Sequence, residues 1–277
     1  MSDVSLHAER LIERIASFRR VTVAFSGGVD SSVVAAAAMR AELDSLVAVT
    51  ASSPSVAQWQ LQWATRIATQ IGITQRVVAT DEGEREEYIR NDTRRCFYCK
   101  ETLYRTLRQW ASEDRTTVLV SGTNADDLGD YRPGIDAGKV AAVQTPLADL
   151  RLGKQEVREL ARFFGLANAD LPASPCLASR VAYGVQVTPA RLSRIEQAES
   201  WLRERDFRDV RVRVHHDELA RVEVPADELS RLLSPPLASE LNAALRGLGF
   251  RFVTVDLQGL QSGSMNRVLV QIEEPRA

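Results

Sequence analysis

The stretch that decides the fold is Val21-Thr22-Val23-Ala24-Phe25-Ser26-Gly27-Gly28-Val29-Asp30-Ser31-Ser32. Val21 to Phe25 is a short apolar run of the kind that forms a buried strand. From Ser32 to Ala41 the residues read as a helix. Between them, Gly27 and Gly28 let the backbone approach an anion and adopt turns that other residues resist. The amides opening the helix point at the same place, and the helix dipole favours negative charge there. Ser26, Ser31 and Ser32 add hydroxyl donors. Asp30 alone would repel a phosphate, so it makes sense as a Mg²⁺ ligand or as a group that orients amides. A glycine turn capped by serines has the same letters; the strand before it and the helix after it favour the phosphate reading.

Outward from this loop the alternation continues. Arg10 to Phe18 reads as an amphipathic helix, Ser45 to Thr50 as a strand and Gln58 to Ile71 as a helix stopped by Gly72. Arg76 to Ala79 is a strand, Cys99 to Ser112 a helix, Thr117 to Ser121 a strand, and Gln155 to Phe164 a helix ended by Gly165. Strand and helix in alternation imply an α/β, doubly wound, mostly parallel sheet covered on both faces. Near Asp170 the pattern stops, and three prolines, Pro172, Pro175 and Pro189, mark a long loop or linker. Thr188-Pro189 then supplies an N-cap and a first-turn proline for a helix to about Arg205. Strands at Val210 to Val214 and Leu219 to Val224, a mostly helical stretch from Ala226 to Arg246 and a strand at Phe250 to Leu257 follow. The expected organisation is a domain over 1–170, a linker over 171–187 carrying Cys176, and a smaller α+β domain over 188–277.

A second loop faces the first. Val118 to Ser121 leads into Gly122-Thr123-Asn124-Ala125-Asp126-Asp127. In a doubly wound sheet, ligands lie beyond the carboxyl ends of the strands. Gly122, Thr123 and Asn124 are therefore candidate nucleotide contacts, and Asp126 or Asp127 a candidate Mg²⁺ ligand. An Asx-rich turn capping a helix is the plain alternative.

Composition excludes several classes. The 277 residues are 44% hydrophobic and 26% charged, ordinary for a globular protein. No apolar run approaches the ~18 residues of a membrane span. Met1 to Arg20 lacks the apolar core of a signal peptide, so a cytoplasmic location is expected. The net charge of −2 argues against a broad nucleic-acid surface. All but three of the 35 basic residues are arginines, suited to bidentate grips on phosphate and carboxylate.

Three cysteines are too few for a disulfide scaffold. Cys96 and Cys99 form a CxxC flanked by Arg94, Arg95 and Lys100, and Cys176 precedes Arg180. Positive neighbours favour thiolate. By itself the CxxC suits a redox dithiol, half of a zinc site or part of an iron–sulfur site, and buried inert thiols are the plain alternative. Three thiolates suit a cubane with one iron left open. Arg211 and Arg213 alternate on a strand and so share a face, which suits a nucleotide phosphate, or else solvent-facing charge on an edge strand.

The loop lacks the Walker lysine and resembles the PP-loop signature SGGxDS of the ATP pyrophosphatases, with their adenine nucleotide alpha hydrolase-like fold. Together with Gly122 to Gly134 (GTNADDLGDYRPG), Ser174 to Arg180 (SPCLASR), Arg211-Val212-Arg213 with His215, and Asp256 to Asn266 (DLQGLQSGSMN), the order and spacing resemble the LarE family over nearly the whole chain. That resemblance implies an ATP-dependent sulfur transferase that adenylates the carboxylates of pyridinium-3,5-biscarboxylic acid mononucleotide and makes thiocarboxylates for the nickel-pincer cofactor. It implies ATP and Mg²⁺ as cofactors, a sulfide source, a homo-oligomer built as a trimer of dimers, and substrate-phosphate contacts at Arg211 and Arg213. Glu199 matches a family position near the site, as a metal ligand; a solvated helix face is equally compatible with its place.

The family divides by sulfur source. In one type the cysteine matching Cys176 gives up its own sulfur once. In the other, three cysteines hold a 4Fe–4S cluster that carries an extra sulfide. Cys96, Cys99 and Cys176 match the second pattern, so the cluster type is expected here. Three rival readings are a tRNA thiolation enzyme, an ammonia-using amide ligase that needs no cysteines, and an ATP-binding module without chemistry. The charge balance, the three thiols and the complete loops weigh against these in turn.

Overall fold

The computed structural model describes residues 3–111, 117–129, 133–172, 174–261 and 264–266. Ser112, Asp130 to Arg132, and Ser262 and Gly263 lie outside the described residues, although the helix and motif readings include them. The chain divides into two compact units. The first comprises residues 1–88 and 94–174, the second residues 89–93 and 175–277.

In chain order the first unit runs α1 (Asp3–Ala16), β1 (Arg20–Ala24), α2 (Val29–Ala38), β2 (Ser45–Ser52), α3 (Gln58–Ile71) and β3 (Gln75–Ala79). There follow α4 (Glu86–Ile89, whose last residue belongs to the second unit), α5 (Arg95–Ala111), β4 (Val118–Val120), α6 (Pro133–Val140), α7 (Pro146–Asp149) and α8 (Lys154–Phe163). Its sheet has the order β3-β2-β1-β4, and every pairing is parallel. Parallel neighbours require crossovers, and the intervening helices supply them on both faces. One face packs α1, α2, α3 and α8 around Leu11, Ile15, Val33, Val34, Ile67 and Leu160. The other packs Tyr104 and Leu107 of α5 and Ala137 of α6 against Val49 and Leu119. Val33 to Ala38 are all buried, so α2 is a central helix rather than an amphipathic one. Its alanines allow that crowding at little cost in side-chain entropy.

The sequence expectations hold for the parallel sheet and the smaller α+β part. The element bounds moved where local signals are weak. Helix α1 begins seven residues before Arg10. Helix α5 begins at Arg95 and takes both CxxC cysteines into its first turns. Gly72 does close α3, in the left-handed region at φ 80°.

The second unit contains α9 (Pro189–Arg203), β5 (Arg211–Val214), β6 (Leu219–Glu223), α10 (Leu229–Leu232), α11 (Leu237–Gly247) and β7 (Phe252–Val255). Strands β5 and β6 are antiparallel, and β6 and β7 are parallel. Thr188 caps α9 by accepting from the Arg191 amide at 3.3 Å, with Pro189 in the first turn. The helical stretch after Ala226 is broken by Pro235 and Pro236, which cannot donate to a helix.

Residues 175–187 differ from the linker expectation: they belong to the second unit. Leu177–Arg180 forms a 3₁₀ turn, and Val181 bridges Val214 at the sheet edge. The reason lies in Asn91, which is fully buried. Its Nδ2 donates to the carbonyls of Val181, Ala182 and Val185, with distances of 3.3, 2.8 and 2.8 Å. Gly184 and Val187 donate to the carbonyls of Asn91 and Ile89. A remote five-residue segment thus supplies the hydrogen bonds that a proline-rich stretch cannot find within itself.

Candidate functional site

The phosphate-type loop lies between β1 and α2, at the carboxyl end of the sheet's central strand pair. Ser26 is exposed, while Ser31 and Ser32 are buried at the helix start. The Ser26 amide donates to Ser31 Oγ at 3.2 Å, and the two serine hydroxyls lie 3.1 Å apart. Ser31 and Ser32 hydroxyls both donate to the Gly28 carbonyl, at 3.1 and 2.8 Å. The carbonyl is thereby tied back, and the Gly28 amide faces Ser26 Oγ at 3.3 Å. Gly27 holds φ 72°, and a Cβ there would lie 2.5 Å from the Ala64 backbone. Only glycine satisfies both conditions.

The second loop meets the first directly. A Cβ on Gly122 would lie 2.6 Å from the Ser31 amide nitrogen and 2.7 Å from the Asp30 carbonyl carbon. Replacing Gly122 by Ala should therefore push the two loops apart. The expected result is a stability loss of about 1–3 kcal/mol together with weaker ATP binding, read by denaturant melts and calorimetry.

Asn124, fully buried, donates from Nδ2 to Asp30 Oδ1 at 2.7 Å. Its backbone amide donates to Asp127 Oδ2 and its Oδ1 accepts from the Asp127 amide, so Asn124 ties Asp30 of the first loop to Asp127 of the second. Asp30 has its pKa raised, first by burial and then by the like charge of Asp127, against the opposing hydrogen bond from Asn124. Two carboxylates that repel each other beside a bed of amides and hydroxyls are a fitting donor set for Mg²⁺. Asp126 is employed otherwise: its Oδ2 accepts from the Lys154 amide at 2.8 Å, at the start of α8. Thr123 Oγ1 lies 3.1 Å from Ser121 Oγ. Lys154, which the sequence reading passed over, stands close enough for its charge to act on Asp30. Its only sequence signal is a lysine directly after a glycine at a helix start.

All three cysteines are free thiols. Cys96 is exposed and Cys99 half-exposed, three positions apart on α5 and therefore on one side of the helix. Arg95 Nη2 approaches Cys96 Sγ at 3.8 Å. In the second unit, Cys176 is half-exposed at the N-cap of the Leu177–Arg180 turn, and its carbonyl accepts from Ser179 Oγ and Arg180 Nη1. By chemistry the donors fit an iron–sulfur cluster: three reduced, accessible thiols. Among the described residues, no three His, Cys, Asp or Glu side chains are already gathered as a metal site.

The second unit's charged residues sort differently from their sequence reading. Glu199 is fully buried, with its two oxygens accepting from Arg180 Nε and Nη2, Arg203 Nη2 and the Val212 amide. Burial works to raise its pKa, but Arg180 and Arg203 outweigh that and hold the carboxyl below its ordinary 4.5. The expectations of a metal ligand or a solvated helix face give way here to an internal ion-pair hub, because every acceptor direction is already taken. Arg213 is likewise buried. It donates twice to Glu223 Oε2 at 3.1 and 2.8 Å, and to the Ser179 carbonyl and Ser264 Oγ. Arg211 is the exception. Among the described residues it donates only to the Val210 carbonyl, at 2.7 Å, and pairs with no carboxylate. Its pKa is pulled down to about 10, first by burial and then by Arg180, with Glu199 opposing. A partly buried guanidinium in a positive field is a place where an incoming anion is favoured. The alternation that put Arg211 and Arg213 on one face was right, but one of the two is already occupied.

Comparisons with known proteins come from both the family and the whole-chain level. Residues 8–174 match the asparagine synthase family. A pyridinium-3,5-bisthiocarboxylic acid mononucleotide synthase of Lactiplantibacillus plantarum is 32% identical over 275 residues, 99% of this chain and 98% of that protein. An uncharacterized protein of Synechocystis is 40% identical over 263 residues, covering 95% of this chain and 98% of its own length. An uncharacterized protein of Methanocaldococcus jannaschii is 27% identical over 241 residues, 87% of this chain and 90% of that one. No helix among the described residues is long and apolar enough to cross a membrane.

Proposed function

The chain belongs to the LarE family of PP-loop, ATP-utilising enzymes, and from that premise we propose that it is the sulfurtransferase of a nickel-pincer cofactor precursor. Its substrate is a pyridinium mononucleotide bearing two carboxylates, and its products are thiocarboxylates, AMP and pyrophosphate. The observation that carries this reading is the meeting of the two loops. The serine-and-glycine loop, Asn124, and the Asp30–Asp127 pair bring phosphate donors and Mg²⁺ ligands into one corner of the sheet.

A substrate carboxylate attacks the α-phosphorus of ATP, and the bond to the bridging oxygen breaks. The departing pyrophosphate takes its hydrogen bonds from the Gly28 amide and the amides opening α2, with Ser26, Ser31 and Ser32 shaping the turn. Asp30 and Asp127 are the residues that would hold Mg²⁺, which when bound would neutralise charge on those phosphates. Gly122, Thr123 and Asn124 form the opposite wall. The resulting acyl-adenylate has AMP as a good leaving group where the free carboxylate had none. A hydrosulfide-level sulfur then attacks the carbonyl carbon, AMP leaves, and one proton is released. Cys96, Cys99 and Cys176 are the residues that would hold a 4Fe–4S cluster, which when bound supplies that sulfur. Arg211 grips the substrate phosphate, while Arg213 builds the sheet beneath it.

This division of labour is testable. Arg211→Ala should raise KM for the mononucleotide about tenfold or more with little change in melting temperature. Arg213→Ala should mainly lower stability, because it strips both bonds from Oε2 of the buried Glu223 and leaves only Arg221 and Ser264 on Oε1. Equal kinetic effects with unchanged melting in both variants would refute the split.

The function itself is tested anaerobically with the mononucleotide, ATP, Mg²⁺ and sulfide. Thiocarboxylate formation in step with AMP, over many turnovers, is the expected result. Iron and acid-labile sulfide at about four each per chain, lost on replacing the three cysteines, would support the cluster. ATP bound but never cleaved would leave a nucleotide-binding module instead.

A further inference from the structure

Asn168 lies on the loop after α8, outside every motif considered above, and its side chain is fully buried. Its Nδ2 donates to the Gly27 carbonyl at 2.9 Å and to Ser32 Oγ at 2.9 Å. The loop around it is fastened independently. Arg158 donates to the carbonyls of Ala169 and Leu171, at 2.8 and 3.1 Å. Gln70 donates to the Gly165 carbonyl and accepts from the Ala167 amide. Asn168 is therefore a fixed post standing behind the phosphate loop, within the same unit.

We propose that Asn168 is a positioning residue that fixes the Gly27–Gly28 peptide with its N–H turned toward the phosphate. This rests on the reading of Ser26 to Ser32 as the ATP loop. In a trans peptide the carbonyl and the following N–H point in opposite directions. Drawing the Gly27 oxygen inward onto Asn168 turns the Gly28 N–H outward, toward the exposed Ser26 hydroxyl. Glycines flank that peptide on both sides, so no Cβ opposes its rotation by half a turn. In the rotated form a carbonyl oxygen would face the anion, and the site would repel what it now attracts. The same Asn168 amide steadies Ser32, whose hydroxyl holds the Gly28 carbonyl at 2.8 Å. One buried side chain therefore sets both peptide planes of the turn. Among the described residues Asn168 Oδ1 has no hydrogen-bond partner, so it does not compete with this arrangement.

The test is calorimetric binding of ATP and, separately, of inorganic pyrophosphate to the full chain, alongside steady-state kinetics. Wild-type protein that bound neither ligand would overturn the ATP-loop reading itself. Given wild-type binding, Asn168→Ala should weaken pyrophosphate and ATP alike by about tenfold to hundredfold. KM for ATP should rise, with KM for the mononucleotide unchanged. Asn168→Ser keeps one donor in a smaller side chain and should fall between the two, which serves if the alanine variant does not fold. A variant with a lowered melting temperature but wild-type affinity for pyrophosphate would show a packing residue only and overturn the proposal.

Discussion

Asp30→Asn is expected to abolish AMP formation while making the protein more heat-stable. The carboxyl has its pKa raised by burial and by Asp127, so the folded state disfavours its charge. The sign follows from linkage: stability falls as pH climbs from 3.8 through the raised folded value, and at neutral pH the full penalty is present. An amide of the same shape removes that charge and keeps an oxygen to accept from Asn124 Nδ2. The melting temperature should rise by about 2 to 4 °C. Turnover should drop by roughly a thousandfold, because one of the two carboxylates proposed to hold Mg²⁺ is lost where charge develops on the leaving pyrophosphate. Scanning calorimetry and an AMP-release assay read the two effects. A lower melting temperature would show that Asp30 is held by favourable contacts instead; retained turnover would remove it from the ATP site.

Arg180→Met carries the second large effect, on stability. Arg180 and Glu199 are each about 1% exposed in their side chains, and Nε–Oε1 is 3.0 Å. Removing one partner of a buried pair leaves the other without compensation, at a cost of about 3–5 kcal/mol. Arg203 remains on Glu199 Oε2, so the lower end of that range is expected. The loss does not stop at the ion pair. Arg180 Nη1 also donates to the Pro175 and Cys176 carbonyls, so the turn carrying Cys176 loses its anchor. Accelerated alkylation of Cys176 in the variant, beside a lowered denaturation midpoint, is the expected outcome. Unchanged stability would mean that Glu199 is neutralised by its other partners. The wild-type pair also predicts an acid limb. A carboxyl held below 4.5 contributes stability that is complete above that pH and is lost as pH falls through the depressed folded value. Glu199→Gln should flatten that limb.

Much of the site was legible in the chain because its signals are local. A glycine pair between a β-rich run and an apolar helix specifies a phosphate turn through backbone geometry that few neighbours can alter. Asn124 followed by Asp126 and Asp127 is an Asx turn before it is anything else, and the strand alternation placed its loop facing the first; the bond from Asn124 to Asp30 was not foreseen. The bounds of α5 were harder to read. Arg94-Arg95-Cys96 carries no capping residue, so nothing local marked the helix start at Arg95.

The sequence by itself determined the parallel α/β unit, the anion-binding loop, the cysteine inventory and the family. The first two follow from periodicity of two and 3.6 and from backbone freedoms written in single residues, and the family from the order and spacing of its motifs. Tertiary structure decided which charges are free. Period two placed Arg211 and Arg213 on one face, but only the register of β5 on β6 and the approach of Ser264 show that Arg213 is occupied. Glu199 became a hub because Arg180, 19 positions earlier, folds back onto α9. Asn91 and Asn168 carry no signal at all until remote carbonyls arrive beside their amides. A buried polar group is defined by its partners, and partners distant in sequence are brought together only by the packed fold.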